Sequence, residues 1–168
     1  MLASALEKDL IDDAIIAKNE TESERFWRIR HSISEAQKSE GASLKHDIAV
    51  PVGRIAEFIS ASEHLIQSMI PDARLVTFGH VGDGNLHFNI AQAIDGDADT
   101  FRKEGEALTD AIYDLVADMG GSFSAEHGIG VFKKHYLERY RGGTELELMR
   151  ALKGTMDPGN TLNPGKVI

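Results

Sequence analysis

The chain has 168 residues, 42% of them hydrophobic, enough for one domain with a buried core. It contains no cysteine, which excludes disulfides and thiolate zinc sites and leaves His, Asp and Glu as metal ligands. The formal charge of -9 argues against nucleic acid and anionic membranes as partners, although a local cationic cluster can still hold a small anion.

The opening MLASALEKDLIDDAII is acidic where a signal peptide would be basic, and no apolar run nears the ~20 residues of a membrane span. A cytoplasmic protein is expected. Residues 3 to 17 place apolar and acidic positions at helical spacing. Thr21 and Glu24 read as a capping box that starts a helix running to about Glu40, with Phe26, Ile29, Ile33 and Ala36 on its apolar face. SLKHDIAV alternates with period two and reads as a strand. Pro51 opens a helix to about Met69. ARLVTFGH and LHFNIA are strands joined by VGDGN, and ADTFRKEGEALTDAIYDLVADMG is a long amphipathic helix. GSFSAE reads as a fourth strand. VFKKHYLERY and ELELMRALKGTM are helices, followed by an irregular tail, DPGNTLNPGKVI.

From Ser43 to Glu126 the order is β-α-β-β-α-β, the order of the ferredoxin-like fold. The expectation is an α+β domain with an antiparallel sheet of order 4-1-3-2, both crossover helices on one face, and extra N- and C-terminal helices. Strand alternation turns Leu44, His46, Ile48 and Val50 of the first strand toward the core, with Leu86, Phe88 and Ile90 of the third and Phe123 and Ala125 of the fourth. Lys45, Asp47, Ala49, His87, Asn89, Ser124 and Glu126 then point to the opposite, free face.

GHVGDGNLHFNI, Gly79 to Ile90, carries the densest chemistry. A two-residue Asp83-Gly84 loop would put His80 directly across from His87, close enough for two imidazoles to share one ion. Glu126 on the same face would complete a hard-to-borderline divalent site with open positions. The competing reading is a polar cross-strand pair, with Asp83 serving the turn alone. A phosphate cradle is disfavoured, because no third glycine opens a helix and no Gly-Lys-Ser/Thr follows. In SAEHGIG, Gly128 ends the strand and can turn His127 back to the same site. An imidazole there is a natural general base; the bland alternative is a helix cap. Arg30 and Ser34 share a helix face, and with Lys45 they can bind carboxylates or remain solvated. Trp27 is expected to pack, and Lys133, Lys134 and Arg139 to be solvated.

GHVGDGNLHFNI, SAEHGIGVFKKHYL and MDPGNTLNPGK, in that order, resemble the C-terminal region of FAD-linked oxidases of the vanillyl-alcohol-oxidase type. That family includes D-lactate dehydrogenases, glycolate oxidase subunits and D-2-hydroxyglutarate dehydrogenases. The resemblance implies that His80, His87 and Glu126 bind a divalent ion, usually zinc, that His127 is the base, and that Asn89 contacts substrate. FWRIRHSISEA followed by LKHDIAVP is most similar to the D-2-hydroxyglutarate dehydrogenase branch, where an Arg, a Thr and a Lys hold the substrate carboxylates. These match Arg30, Ser34 and Lys45, with Ser keeping the hydroxyl. Asn163 and Lys166 of the tail would return toward the flavin.

Such enzymes are longer and carry an N-terminal FAD-binding domain that nothing in this sequence matches. The chain is therefore expected to be the substrate- and metal-binding part, with that FAD domain and a small 2-hydroxyacid as partners. By itself it should be catalytically silent. Its free face should be loosely ordered or covered by self-association, as in a homodimer. The rivals are a noncatalytic metal- or small-acid-binding module and a metallohydrolase.

Overall fold

The computed structural model describes residues 2–168, in two compact units that divide between Glu40 and Gly41. In the first unit a helix over Leu2–Leu6 (α1) is followed by irregular chain and a longer helix over Glu20–Ala36 (α2). The helix expected over residues 3 to 17 thus stops after five residues. Asp9 adopts φ 51°, and the acidic run Glu7, Asp9, Asp12 and Asp13 would oppose the dipole at a helix C-terminus. The cap of α2 lies two residues before the expected Thr21. Asn19 accepts from the Glu22 N–H at 3.0 Å, and the Glu22 carboxylate accepts from the Lys18 N–H at 2.8 Å. Trp27, expected to pack, is 60% exposed and lies against the His31 ring.

In the second unit three strands, Ser43–Ala49 (β1), Arg74–His80 (β2) and Asn85–Ala91 (β3), form an antiparallel sheet of order β1-β3-β2. Helices over Ile55–Met69 (α3) and Ala98–Asp118 (α4) cover one face, and helices over Lys134–Arg141 (α5) and Thr144–Met156 (α6) complete the α+β architecture. Apolar residues at helical spacing on α4 (Leu108, Ile112, Val116) meet the alternating Ile48, Leu86, Phe88 and Ile90 of the strands. Phe58 and Phe88 are wholly buried and meet edge to face, 5.1 Å between ring centres. Each such side chain removed from water contributes roughly 1.5–3 kcal/mol. His46 sits in this core as alternation demands, bonded to the Phe88 carbonyl and to Thr109 on α4.

The fourth strand is a correction. The chain does return to the free edge of β1, where order 4-1-3-2 requires it, but only as a single antiparallel bridge, Ala49 to Ser122. Beyond Phe123 one backbone bond to β1 remains, from the Ala125 N–H to the Asp47 carbonyl at 3.1 Å; the Ala125, Glu126 and His127 amides otherwise turn toward the Asp47 side chain, and Ala125 is exposed rather than core. The tail after α6 is irregular but pinned. Asp157 accepts from the N–H groups of Thr161 and Leu162, and the Val167 N–H reaches the Gly130 carbonyl at 2.8 Å. No helix among the described residues is long and apolar enough to cross a membrane.

Candidate active site

The β2–β3 hairpin fixes the first part of the site. Its register sets His80 opposite Asn85 and Phe78 opposite His87, two residues away from the expected pairing of His80 with His87. The reason is turn chemistry. A two-residue loop of the favoured kind needs φ > 0 at both positions. Only Gly84 has it (φ 78°), and the N–H groups of Asp83 and Gly84 both bond the His80 carbonyl, making a four-residue loop. Asp83 performs turn chemistry as anticipated, its Oδ1 accepting the Asn85 N–H at 3.0 Å. Because side chains alternate with period two, a slip of two residues leaves both histidines on the free face. They lie on a diagonal rather than directly opposed.

The neighbouring strand adds to that face. The β1–β3 register pairs Asp47 with His87, Lys45 with Asn89 and Ala49 with Asn85. The loop after Ser122 folds across it and brings Glu126 and His127 to the same side. Glu126 Oε1 takes a short hydrogen bond from Asn85 Nδ2 and lies 3.7 Å from His80 Nδ1. His127 stacks on His87 at 5.7 Å between ring centres, with its Nδ1 3.9 Å from Asp47 Oδ2. Lys133 Nζ reaches the Phe123 carbonyl and the Ser124 hydroxyl, so it is a strut of this loop and not a solvated charge. Burial lowers its pKa, partly opposed by the Asp47 charge.

His80 and Glu126 thus come together, as do His87 and His127, and the two pairs share one sheet face. Among the described residues, candidate ligand atoms of Asp47, His87 and His127 lie within 4.8 Å of one another, a set that shares only His87 with the expected His80, His87 and Glu126. Three buried side-chain oxygens among the described residues lack a hydrogen-bond partner, and two of them, Asp47 Oδ1 and Asn85 Oδ1, belong to this site. Nitrogen and oxygen donors with orphaned buried acceptors suit a borderline or hard divalent ion. Lys45 is exposed and Asn89 buried at the Asn89 end of the face. Arg30 is half-buried and Ser34 exposed, one turn apart on α2 in the other unit. Asn163, in a left-handed conformation (φ 48°), and Lys166 are exposed on the tail. Asp47 and Asn85 were not singled out from the sequence as site residues. Alternation had placed Asp47 on the free face, so the signal for it was present; Asn85 looked like ordinary turn chemistry.

The domain is thus α+β, with a histidine–carboxylate cluster on the face of its sheet opposite α3 and α4. Over residues 1–167 the sequence matches the family described as FAD linked oxidases, C-terminal domain, and the chain belongs to that family. It is 36% identical over 162 residues to a D-2-hydroxyglutarate dehydrogenase of Stutzerimonas stutzeri (strain A1501), covering 96% of this chain and 35% of that protein. It is 35% identical over 167 residues to the mitochondrial D-2-hydroxyglutarate dehydrogenase of Arabidopsis thaliana, covering 99% and 28%. A D-lactate dehydrogenase of Anaerostipes hadrus is 33% identical over 156 residues, covering 92% and 32%. The chain therefore spans about a third of the length of these curated relatives.

Proposed function

We propose that this chain is the substrate- and metal-binding part of an FAD-dependent dehydrogenase that oxidises a D-2-hydroxyacid to the 2-oxoacid, with D-2-hydroxyglutarate as the leading substrate type. The observation that carries this reading is the convergence of His80, His87, Glu126 and His127 on one polar sheet face. Seven relatives at 32–36% identity named for one activity, D-2-hydroxyglutarate dehydrogenase, two of them as probable, add to it.

In this reading His80, His87 and Glu126 hold one divalent ion, zinc by family resemblance. Bound FAD supplies a hydride acceptor, and the bound ion supplies a Lewis acid that orients the 2-hydroxyacid. The residues of the chain do the rest. Lys45 and Asn89 are neighbours across β1 and β3 and bind the substrate's polar end. Arg30 and Ser34 supply the further carboxylate contacts, the guanidinium through paired N–H donors. His127 accepts the hydroxyl proton, held in place by its stack on His87. Asn163 and Lys166 face the flavin-bearing partner domain.

The test is anaerobic reduction in the full-length protein. Added D-2-hydroxyglutarate should bleach the flavin, and His127→Ala should slow bleaching by about 10²–10⁴-fold, the usual contribution of a general base. Unchanged bleaching in that variant would remove His127 from the chemistry. A metallohydrolase would instead leave the flavin untouched.

A further inference from the structure

Asp47 is buried to 2% exposure on the free face of β1, and nothing in the proposed reaction uses it. Its Oδ2 accepts three consecutive backbone N–H groups, from Ala125 at 3.1 Å (shared with the Asp47 backbone carbonyl at 3.1 Å), Glu126 at 2.9 Å and His127 at 2.8 Å. Successive amides converging on one point form an anion nest of the kind that usually holds a bound anion. Here the anion is the protein's own carboxylate, from a strand 78 to 80 residues earlier. Burial works to raise the Asp47 pKa, but the His127 and Glu126 amides, together with the nearby His127 ring and Lys133, hold the carboxyl below its ordinary value.

This contact explains a local contradiction. Glu126 and His127 are adjacent, so in a continuing strand they would face opposite ways. With their amides drawn to Asp47 the chain leaves the strand. Glu126 then reaches Asn85 and His80 while His127 lies on His87.

We propose that Asp47 is a positioning residue: its carboxylate locks the Ala125–His127 backbone and thereby presents Glu126 and His127 together on the free face. The roles given to those two residues rest on the function proposed above; the lock itself does not.

The experiment uses the full-length protein with Asp47→Ala and Asp47→Asn, where Asn keeps an acceptor oxygen and loses the charge. Three quantities are measured: amide hydrogen exchange in peptides spanning residues 122–128 and 85–91, zinc affinity after chelator stripping, and kcat and KM separately. In Asp47→Ala the 122–128 amides should exchange at least about tenfold faster while the β3 peptide keeps its protection. Zinc should bind about ten- to hundredfold more weakly, and kcat should fall more than KM rises. Asp47→Asn should recover most of the protection and of the zinc affinity, and it serves as the test should the Ala variant not fold. Unchanged exchange in the loop, or faster exchange with normal zinc affinity and kcat, would overturn the proposal. So would an Asn variant with a protected loop and no zinc binding, which would make Asp47 a direct ligand. His80→Ala with undiminished zinc affinity would fault the proposed ligand set alone, because loop exchange judges Asp47 without reference to metal.

Discussion

His80 stands opposite Asn85 across the β2–β3 hairpin, and both meet the same carboxylate, Glu126. Asn85 is buried and donates to Glu126 Oε1, and the imidazole Nδ1 of the exposed His80 lies 3.7 Å from the same oxygen. Through its hydrogen bond Asn85 orients Glu126, a ligand in the proposed set. One zinc per chain is expected. His80→Ala and His87→Ala should each weaken it by more than about a hundredfold, and Asn85→Ala by about ten- to hundredfold, the range for a residue that only steers a ligand. Isothermal titration of the stripped protein checks this order. An Asn85 variant as damaging as the histidine variants would make the amide a ligand.

The free face was legible in the sequence because alternation survives errors of two. His80, His87, Asn89 and Lys45 were assigned to it with the wrong hairpin register, and a two-residue slip changes which residues oppose but not which face they occupy; Glu126 reaches it from the loop after Ser122 and not by strand alternation. The fourth strand was not legible as it stands. Its sequence, GSFSAE, has ordinary strand alternation, and what ends it is a side chain nearly eighty residues away. No local pattern announces a long-range capture of amides by a carboxylate. The cap of α2 was misplaced for a simpler reason: Asn19 with Glu22 and Thr21 with Glu24 both fit a capping box, two residues apart.

The family resemblance gives Arg30 and Ser34 the distal carboxylate of a dicarboxylic substrate. In the full-length protein Arg30→Ala is expected to raise KM for a 2-hydroxydiacid by about ten- to hundredfold, since a hydrogen bond to a charged group is worth about 1.5–3 kcal/mol. A 2-hydroxyacid with a neutral tail should be affected far less. Steady-state kinetics on both substrates decides it, equal effects removing Arg30 from recognition of the second carboxylate.

The glycines of VGDGN are not equivalent. At Gly84 an added Cβ would come within 2.0 Å of the Val50 carbonyl oxygen, and the backbone is already left-handed. The Gly84 carbonyl also accepts the Val50 N–H at 3.1 Å, so the turn is seated on the chain leaving β1. At Gly82 a Cβ meets nothing within 4 Å. Gly84→Ala should cost at least about 1–3 kcal/mol of stability, whereas Gly82→Ala should change it by less than about 0.5 kcal/mol. Denaturant midpoints of the two variants provide the comparison, and equal midpoints would mean that the close approach of Gly84 to Val50 is not maintained.

His46 should make the domain acid-sensitive in a window that can be stated in advance. The ring is 2% exposed, between the Phe88 carbonyl at 2.9 Å and the Thr109 hydroxyl at 3.0 Å, with the Tyr113 ring edge-on at 5.4 Å. A neutral imidazole satisfies both partners, donating from Nδ1 to the carbonyl and accepting at Nε2 from the hydroxyl. Burial disfavours the charged ring most strongly, and Lys133 adds to this. The Phe88 carbonyl opposes them, and the net result is a pKa lowered from 6.5 to about 4. Between those values the unfolded chain binds a proton that the folded chain refuses, so stability rises with pH there. The contribution is fully present above the unfolded value, is lost as pH falls from about 6.5, and levels off below about 4. At pH 4.5 the loss relative to pH 7 should be about 2 kcal/mol, an order-of-magnitude figure from the linkage relation. His46→Gln can still donate to the Phe88 carbonyl but cannot titrate, so its loss over the same interval should be smaller by about that amount. Urea unfolding of both proteins at pH 7 and pH 4.5 measures the difference, and parallel losses in the two would show that His46 is not the group that charges.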